Sequence, residues 1–196
     1  MKSPYEGIPQ RDWLKVTQRL IRKHPLGTEE LVDIVLAAWD SIFELRIGTR
    51  FEIGKHIFPK PQIMGFLLHE LIPLEIAALH PNDWRGDESS SDKDIVYVPN
   101  DKFSIEVKTS SNPSHIFGNR SYAQGGTRGK KAKSGYYLTV NFEKFSKSKD
   151  RPQVLLVRFG WLDSFDWVGQ RAATGQQSRL LSEVETGKLI TIYHRD

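Results

Sequence analysis

The chain has 196 residues, enough for one domain with a substantial core. With 38% hydrophobic and 27% charged residues it has the composition of a folded, soluble protein, not a disordered one. It contains no cysteine, which excludes disulfides, Cys-ligated zinc and a thiol nucleophile. The net charge of +4 is unevenly spread: from His115 to Arg151 nine Lys/Arg face two acids, while from His80 to Glu106 seven acids face three bases. An acidic cluster beside a basic stretch suits a metal-dependent enzyme acting on a polyanion. A solvated surface whose charges happen to fall in blocks is the plain alternative.

Met1 to Gln10 has no apolar stretch of signal-peptide length, and no run of about 18 apolar residues predicts a membrane span. Trp13, Val16, Leu20 and Ile21 recur at helical spacing and predict a helix from Arg11 to His24, ended by Pro25-Leu26-Gly27. Thr28 is placed to cap a second helix, with Glu29 and Glu30 in its positive first turn. Leu31, Ile34, Val35, Ala38 and Ile42 make the apolar stripe of that helix to about Leu45. Extended or irregular chain follows to Phe58. Pro61 then starts a third helix over Gln62–Leu79, which Pro73 is expected to kink or split.

His80 to Lys93 reads as a polar loop. Short strands are predicted at Asp94–Val98 and Lys102–Thr109, then loop with some helix from Ser110 to Gly135. Strands at Tyr136–Phe142 and Gln153–Phe159, a helix near Gln177–Thr186 and a strand at Leu189–His194 complete the chain. This order predicts one mixed α/β domain over residues 1–196, with a central mixed β-sheet flanked by helices. Its helical part spans about 9–79, and the sheet that carries the chemistry about 92–196.

The most informative stretch is DIVYVPNDKFSIEVKTSS, Asp94 to Ser111. In its second strand Phe103, Ile105, Val107 and Thr109 share one face, and Ser104, Glu106 and Lys108 the other. A turn at Pro99-Asn100-Asp101 sets a register in which Ile95 faces Ile105, Tyr97 faces Phe103 and Asp94 faces Glu106. Opposed side chains have Cβ atoms about 4.5–5.5 Å apart, so Asp94, Glu106 and Lys108 would gather within one ion's reach. Two opposed carboxylates repel unless a cation lies between them. Mg²⁺, which takes one or two carboxylates, keeps several waters and binds phosphate oxygens, has that chemistry. The spacing itself is short, and an alternating Glu/Lys strand face is often simply solvent-facing.

These residues carry a family resemblance. Asp94 with Glu106-Val107-Lys108 resembles the PD-(D/E)xK nuclease motif, although Lys93 stands where the proline is usual. HELIP (His69–Pro73), SIEVKTSS, IFGNRSYAQ (Ile116–Gln124), GWLDSFDW (Gly160–Trp167) and TGQQSRL (Thr174–Leu180) resemble the ScaI-type restriction endonucleases. The resemblance spans roughly the last two thirds of the chain. It implies a restriction-endonuclease-like fold and a homodimeric, cytoplasmic type II enzyme that cuts double-stranded DNA within a short site with Mg²⁺. It also implies a protecting DNA methyltransferase encoded nearby, and a metal set of Asp94, Glu106 and Val107. Related nucleases often add an acid from the preceding helix, which makes Glu70 the fourth catalytic candidate and Glu75 the next.

Arg120, Gln124, Arg128, Lys130, Lys131 and Lys133 are candidates for phosphate contact. The nearby Gly118, Gly125, Gly126 and Gly129 would let the backbone approach DNA closely. Gln176, Gln177 and Arg179 have the groups that read base edges, Gln for adenine and Arg for guanine. Their plain alternative is the wet face of a helix start. Trp161 and Trp167 are expected in the core or a dimer contact. Two rival functions remain: a structure-specific repair or junction nuclease, and a non-catalytic nucleic-acid-binding protein. The six scattered His have no zinc spacing, and there is neither a P-loop nor a dinucleotide-type glycine loop.

Overall fold

The computed structural model of the chain describes residues 2–123, 133–146, 151–169 and 177–195. A 3₁₀ turn at Gln10–Asp12 leads into α1 (Trp13–Ile21), shorter than the periodicity predicted. Helix α2 (Thr28–Glu44) buries Leu31, Ile34, Val35, Ala38 and Ile42, the stripe its spacing requires. Gly27, not Thr28, occupies the N-cap; Thr28 is the first helical residue and makes no side-chain cap. A small hairpin, β1 (Arg46–Ile47) and β2 (Phe51–Glu52), precedes α3 (Pro61–Leu79).

Helix α3 runs on through Pro73, so of the kink or split expected there the split does not occur. Pro73 is buried among apolar neighbours, and packing on both sides of it offsets the missing N–H. The helix is long and apolar enough by composition to cross a membrane, with a mean hydropathy of 1.4. Here its Met64, Leu68, Ile72 and Ile76 lie in the core.

Among the described residues, six strands form a mixed sheet. They are β3 (Trp84–Gly86), β4 (Ile95–Tyr97), β5 (Ile105–Ser110), β7 (Gly135–Phe142), β8 (Val154–Leu162) and β11 (Leu189–His194), in the order β11-β8-β7-β5-β4-β3. Neighbours are antiparallel except β5 and β7, which run parallel. A parallel pair needs a long crossover. The crossover here carries β6 (Phe117–Asn119) and a 3₁₀ helix at Arg120–Ala123. Strand β6 joins β10 (Gln177–Arg179) and β9 (Val168–Gly169) in a second, three-stranded sheet. Strand β3 lies in what read as a polar loop, and β10 in what read as a helix start. The helix there, α4, begins only at Ser182 and ends at Lys188.

Strand alternation divides the core. Ile105, Val107, Tyr136, Leu138 and Val140 face α1, α2 and α3. Tyr137, the neighbour of Glu106 across the parallel pair, packs on the other side with Ile116, Leu162, Trp167 and Leu180. Trp161 and Trp167 are both buried, as expected. Glu185 of α4 anchors the start of the crossover: it accepts the Ile116 N–H at 3.1 Å and lies 3.7 Å from the Arg158 guanidinium.

Near the sheet's β8 end lies a buried ionic cluster. Past β8 the chain turns through a 3₁₀ helix at Ser164–Asp166, closed by reciprocal bonds between Asp163 and Asp166. Lys188 reaches both, at 2.9 Å from Asp163 and 2.7 Å from Asp166. Its ammonium also lies over the rings of Tyr5 and Trp13.

Candidate active site

Asp94 stands just before β4, and Glu106 and Lys108 lie on β5. The ladder pairs Ile95 with Ile105, the register that brings Asp94 to the Glu106 end of β5. The rest of the expected hairpin is different. Residues Asp101–Phe103 form a 3₁₀ turn, so β5 starts at Ile105 and not at Lys102. Tyr97 pairs with Trp84 instead of Phe103, and its N–H goes to Ser104 Oγ. The Tyr97 and Phe103 rings still meet edge to face, 6.0 Å apart.

The Asp94 carboxylate accepts the Val107 N–H at 2.7 Å and lies 3.7 Å from His69 Nδ1. Glu106 is nearly fully buried. One of its oxygens, Oε1, accepts from Lys108 Nζ at 2.7 Å and from the Tyr122 hydroxyl at 2.5 Å. Lys108 also donates to the Val107 carbonyl at 2.9 Å. Its ammonium is 4.9 Å from the centroid of the Tyr122 ring. Val107 buries its side chain completely, so only its backbone carbonyl could serve a metal. Burial, reinforced by the Glu106 charge, holds the Tyr122 phenol well above its ordinary pKa of 10.0. Lys93, in the usual proline position, is buried with its ammonium 5.4 Å from the Tyr137 centroid.

Two carboxylates and a backbone carbonyl form an all-oxygen donor set of the kind Mg²⁺ takes, with water and phosphate completing its shell. Among the described residues no three His, Asp or Glu side chains cluster as a metal site of their own. Two carboxylates and one carbonyl would leave much of a hard ion's shell to water.

Glu70 does not join this group. It is exposed on α3, while His69, one position earlier, points toward Asp94. Glu75 lies further along the same helix, half-buried. The approach of α3 to β5 depends on Gly65: a Cβ there would lie 2.6 Å from Thr109 Oγ1. With Gly65 against the strand, His69 follows one turn later on the same side of the helix. Asp92, next to the motif, turns away and pairs with Arg85 at 3.0 Å.

A cleft of about 830 Å³ adjoins the site, lined in part by His69, Thr109, Asn112, Asn119 and Gln177. Asn119 on β6 pairs with Gln177 on β10, and both are exposed. Arg179 shares the outward face of β10, whereas Ser178 between them is buried. Gly118 lies beneath, where a Cβ would come within 3.1 Å of the Trp167 ring, so its smallness serves packing. Arg120 is half-buried in the 3₁₀ helix of the crossover. Lys133 is half-buried beside the Tyr122 ring and donates to the Ser121 carbonyl. Gln124, Arg128, Lys130, Lys131 and Gln176, with Gly125, Gly126 and Gly129, lie outside the described residues.

His69, Asn119 and Tyr122 escaped the sequence reading, although all three stand inside the motifs HELIP and IFGNRSYAQ. Their signal was position within those motifs; what was missing was the helix phase and the crossover geometry.

The profile of the ScaI restriction endonuclease family matches residues 3–193. The type II restriction enzyme ScaI of Streptomyces caespitosus is 53% identical over 193 residues, covering 97% of this chain and 85% of the relative.

Proposed function

This chain belongs to the ScaI restriction endonuclease family, and we propose that it hydrolyses both strands of double-stranded DNA at a specific short sequence, with Asp94, Glu106 and Lys108 as the catalytic residues. The observation that carries the assignment of residues is their meeting at one end of β4 and β5, beside a cleft lined by Asn119 and Gln177. The family match favours this reading over a junction nuclease or a non-catalytic binder.

Asp94, Glu106 and the Val107 carbonyl would hold Mg²⁺. The ion, when bound, supplies Lewis-acid polarisation of the scissile phosphate and a more acidic water. The Val107 N–H fixes the Asp94 carboxylate, and His69 flanks it. Lys108 places a positive charge beside Glu106, where it stabilises the negative charge that builds on the phosphate as water attacks. Arg120 and Lys133 contact phosphates, joined by Gln124, Arg128, Lys130 and Lys131. Asn119, Gln177 and Arg179 present amides and a guanidinium on the outer face of the small sheet, chemistry suited to adenine and guanine edges, with Gln176 beside them. We assign the enzyme to the cytoplasm as a homodimer on a two-fold symmetric site, with a cognate methyltransferase protecting host DNA.

The test is digestion of unmethylated phage DNA with Mg²⁺ or with EDTA. Discrete fragments that require Mg²⁺ are expected, and sequencing their ends gives the site. Cutting confined to branched DNA would replace the reading with a junction nuclease; binding without any cutting would leave a DNA-binding protein.

A further inference from the structure

Resting on the metal reading above, we propose that Tyr122 is a latch on Glu106: in the DNA-free protein its hydroxyl occupies one of the carboxylate's two oxygens, and so weakens metal binding until DNA is engaged. The Glu106 oxygen Oε1 accepts two donors at once, the Tyr122 O–H at 2.5 Å and the Lys108 N–H at 2.7 Å. A carboxylate oxygen has two lone-pair directions, and both are taken by short, charge-assisted bonds. A cation approaching Oε1 meets the positive ends of both donors. Lys108 belongs to the reaction itself and carries its own charge to the phosphate. Tyr122 brings no charge. A phenol is neutral at neutral pH, and toward an ionised carboxylate, which only accepts, its hydroxyl can only donate.

The ring is held for this task. It packs on buried Trp167 with centroids 5.1 Å apart, and Lys108 and Lys133 lie over it at 4.9 and 5.6 Å. Lys133, over the ring, and Arg120, two residues earlier in the same 3₁₀ helix, are both phosphate-contact candidates. DNA phosphates that draw these cations toward themselves therefore act on the ring that holds Glu106. Tyr122 thus couples substrate arrival to release of the metal ligand.

The experiment is Mn²⁺ binding to the full DNA-free chain, followed by calorimetry or by the spin signal of free Mn²⁺, for the wild type and Tyr122→Phe. The variant keeps the ring on Trp167 and removes only the hydroxyl. We expect about tenfold tighter Mn²⁺ binding, the size of one charge-assisted hydrogen bond, and a smaller difference when uncleaved DNA is present. Tyr122→Leu should tighten binding in the same direction. Adding Asp94→Asn to Tyr122→Phe should abolish the gain. Equal binding in wild type and variant, including no binding in either, overturns the latch. Weaker binding in the variant also overturns it and makes Tyr122 a residue that orients Glu106 for the ion. A gain that survives Asp94→Asn places the Mn²⁺ elsewhere and overturns it too. Failure of the underlying metal reading is distinct: it would appear as cleavage by the wild type in EDTA.

Discussion

Two clusters in this protein have nearly the same ingredients. Each has one lysine, two carboxylates and packed aromatic rings. In the first, Lys188 is buried to 1% exposure between Asp163 and Asp166, under the rings of Tyr5 and Trp13. In the second, Lys108 and Asp94 keep 12% and 17% of their side-chain surface beside an 830 Å³ cleft, while Glu106 is shut in behind them. Composition does not separate the two. Exposure does: the side chains of Lys188, Asp163 and Asp166 keep 1%, 3% and 4% of their surface, whereas Lys108 and Asp94 keep more and His69, beside Asp94, lines the cleft. The sequence also treats them differently. Glu106 and Lys108 share a strand face two residues apart, whereas Lys188 meets Asp163 and Asp166 only after β8, α4 and the intervening chain have folded.

The largest effect that would separate the clusters is on stability. Lys188→Met leaves two carboxylates buried without their cation, and should cost about 3–5 kcal/mol, measured by denaturant unfolding. The cleavage rate per folded molecule should hardly change. Next is Asp94→Asn, which should lower kcat by about 10²–10³-fold, as loss of a preorganised electrostatic contact does, with an unfolding midpoint close to the wild type. If Lys188→Met lost activity per folded molecule, or Asp94→Asn mainly lost stability, the division between the clusters would fail. His69→Ala should cost about 10–100-fold in activity, the range for a group that supports a metal ligand, while Glu70→Ala should cost little. Steady-state cleavage of a short duplex measures both.

The smallest effect is on pH dependence. Burial raises the Asp166 carboxyl above its ordinary 3.8, a rise only partly offset by the bond from Lys188. The stability that goes with a protonated Asp166 is fully present below pH 3.8 and is lost as pH rises through the raised folded value. Asp166→Asn cannot form that charge. Its thermal midpoint relative to the wild type should therefore improve as pH rises through this acid range, and melts at a series of pH values check it.

Much of the fold was legible because it rests on local periodicity. The stripe of α2, the strand at Tyr136–Phe142 and the boundaries of β11 follow from local pattern. The Ile95–Ile105 pairing was also legible, since two apolar residues flank a turn. What failed depended on partners distant in sequence. Trp84–Gly86 looks like loop until β4 pairs with it, and Gln177–Arg179 looks like a polar helix start until β6 supplies the ladder. On α3 nearly every face carries apolar residues, so the helix phase was ambiguous. Glu70 was chosen for its charge, but the close contact of Gly65 with Thr109 turns His69 toward Asp94. Tyr122 reaches Glu106 through the crossover that a parallel strand pair demands, and no local pattern in the sequence records that contact.

The assignment of cleavage to Asp94, Glu106 and Lys108 stands or falls with the Glu106 charge. Its most direct test is Glu106→Gln, which keeps the size and polarity of the side chain and removes its charge, assayed beside the wild type with Mg²⁺ on the same unmethylated DNA. If the assignment holds, the variant folds and binds that DNA yet produces none of the discrete fragments over the time in which the wild type completes digestion. A folded Glu106→Gln protein that cuts at the wild-type rate would contradict it.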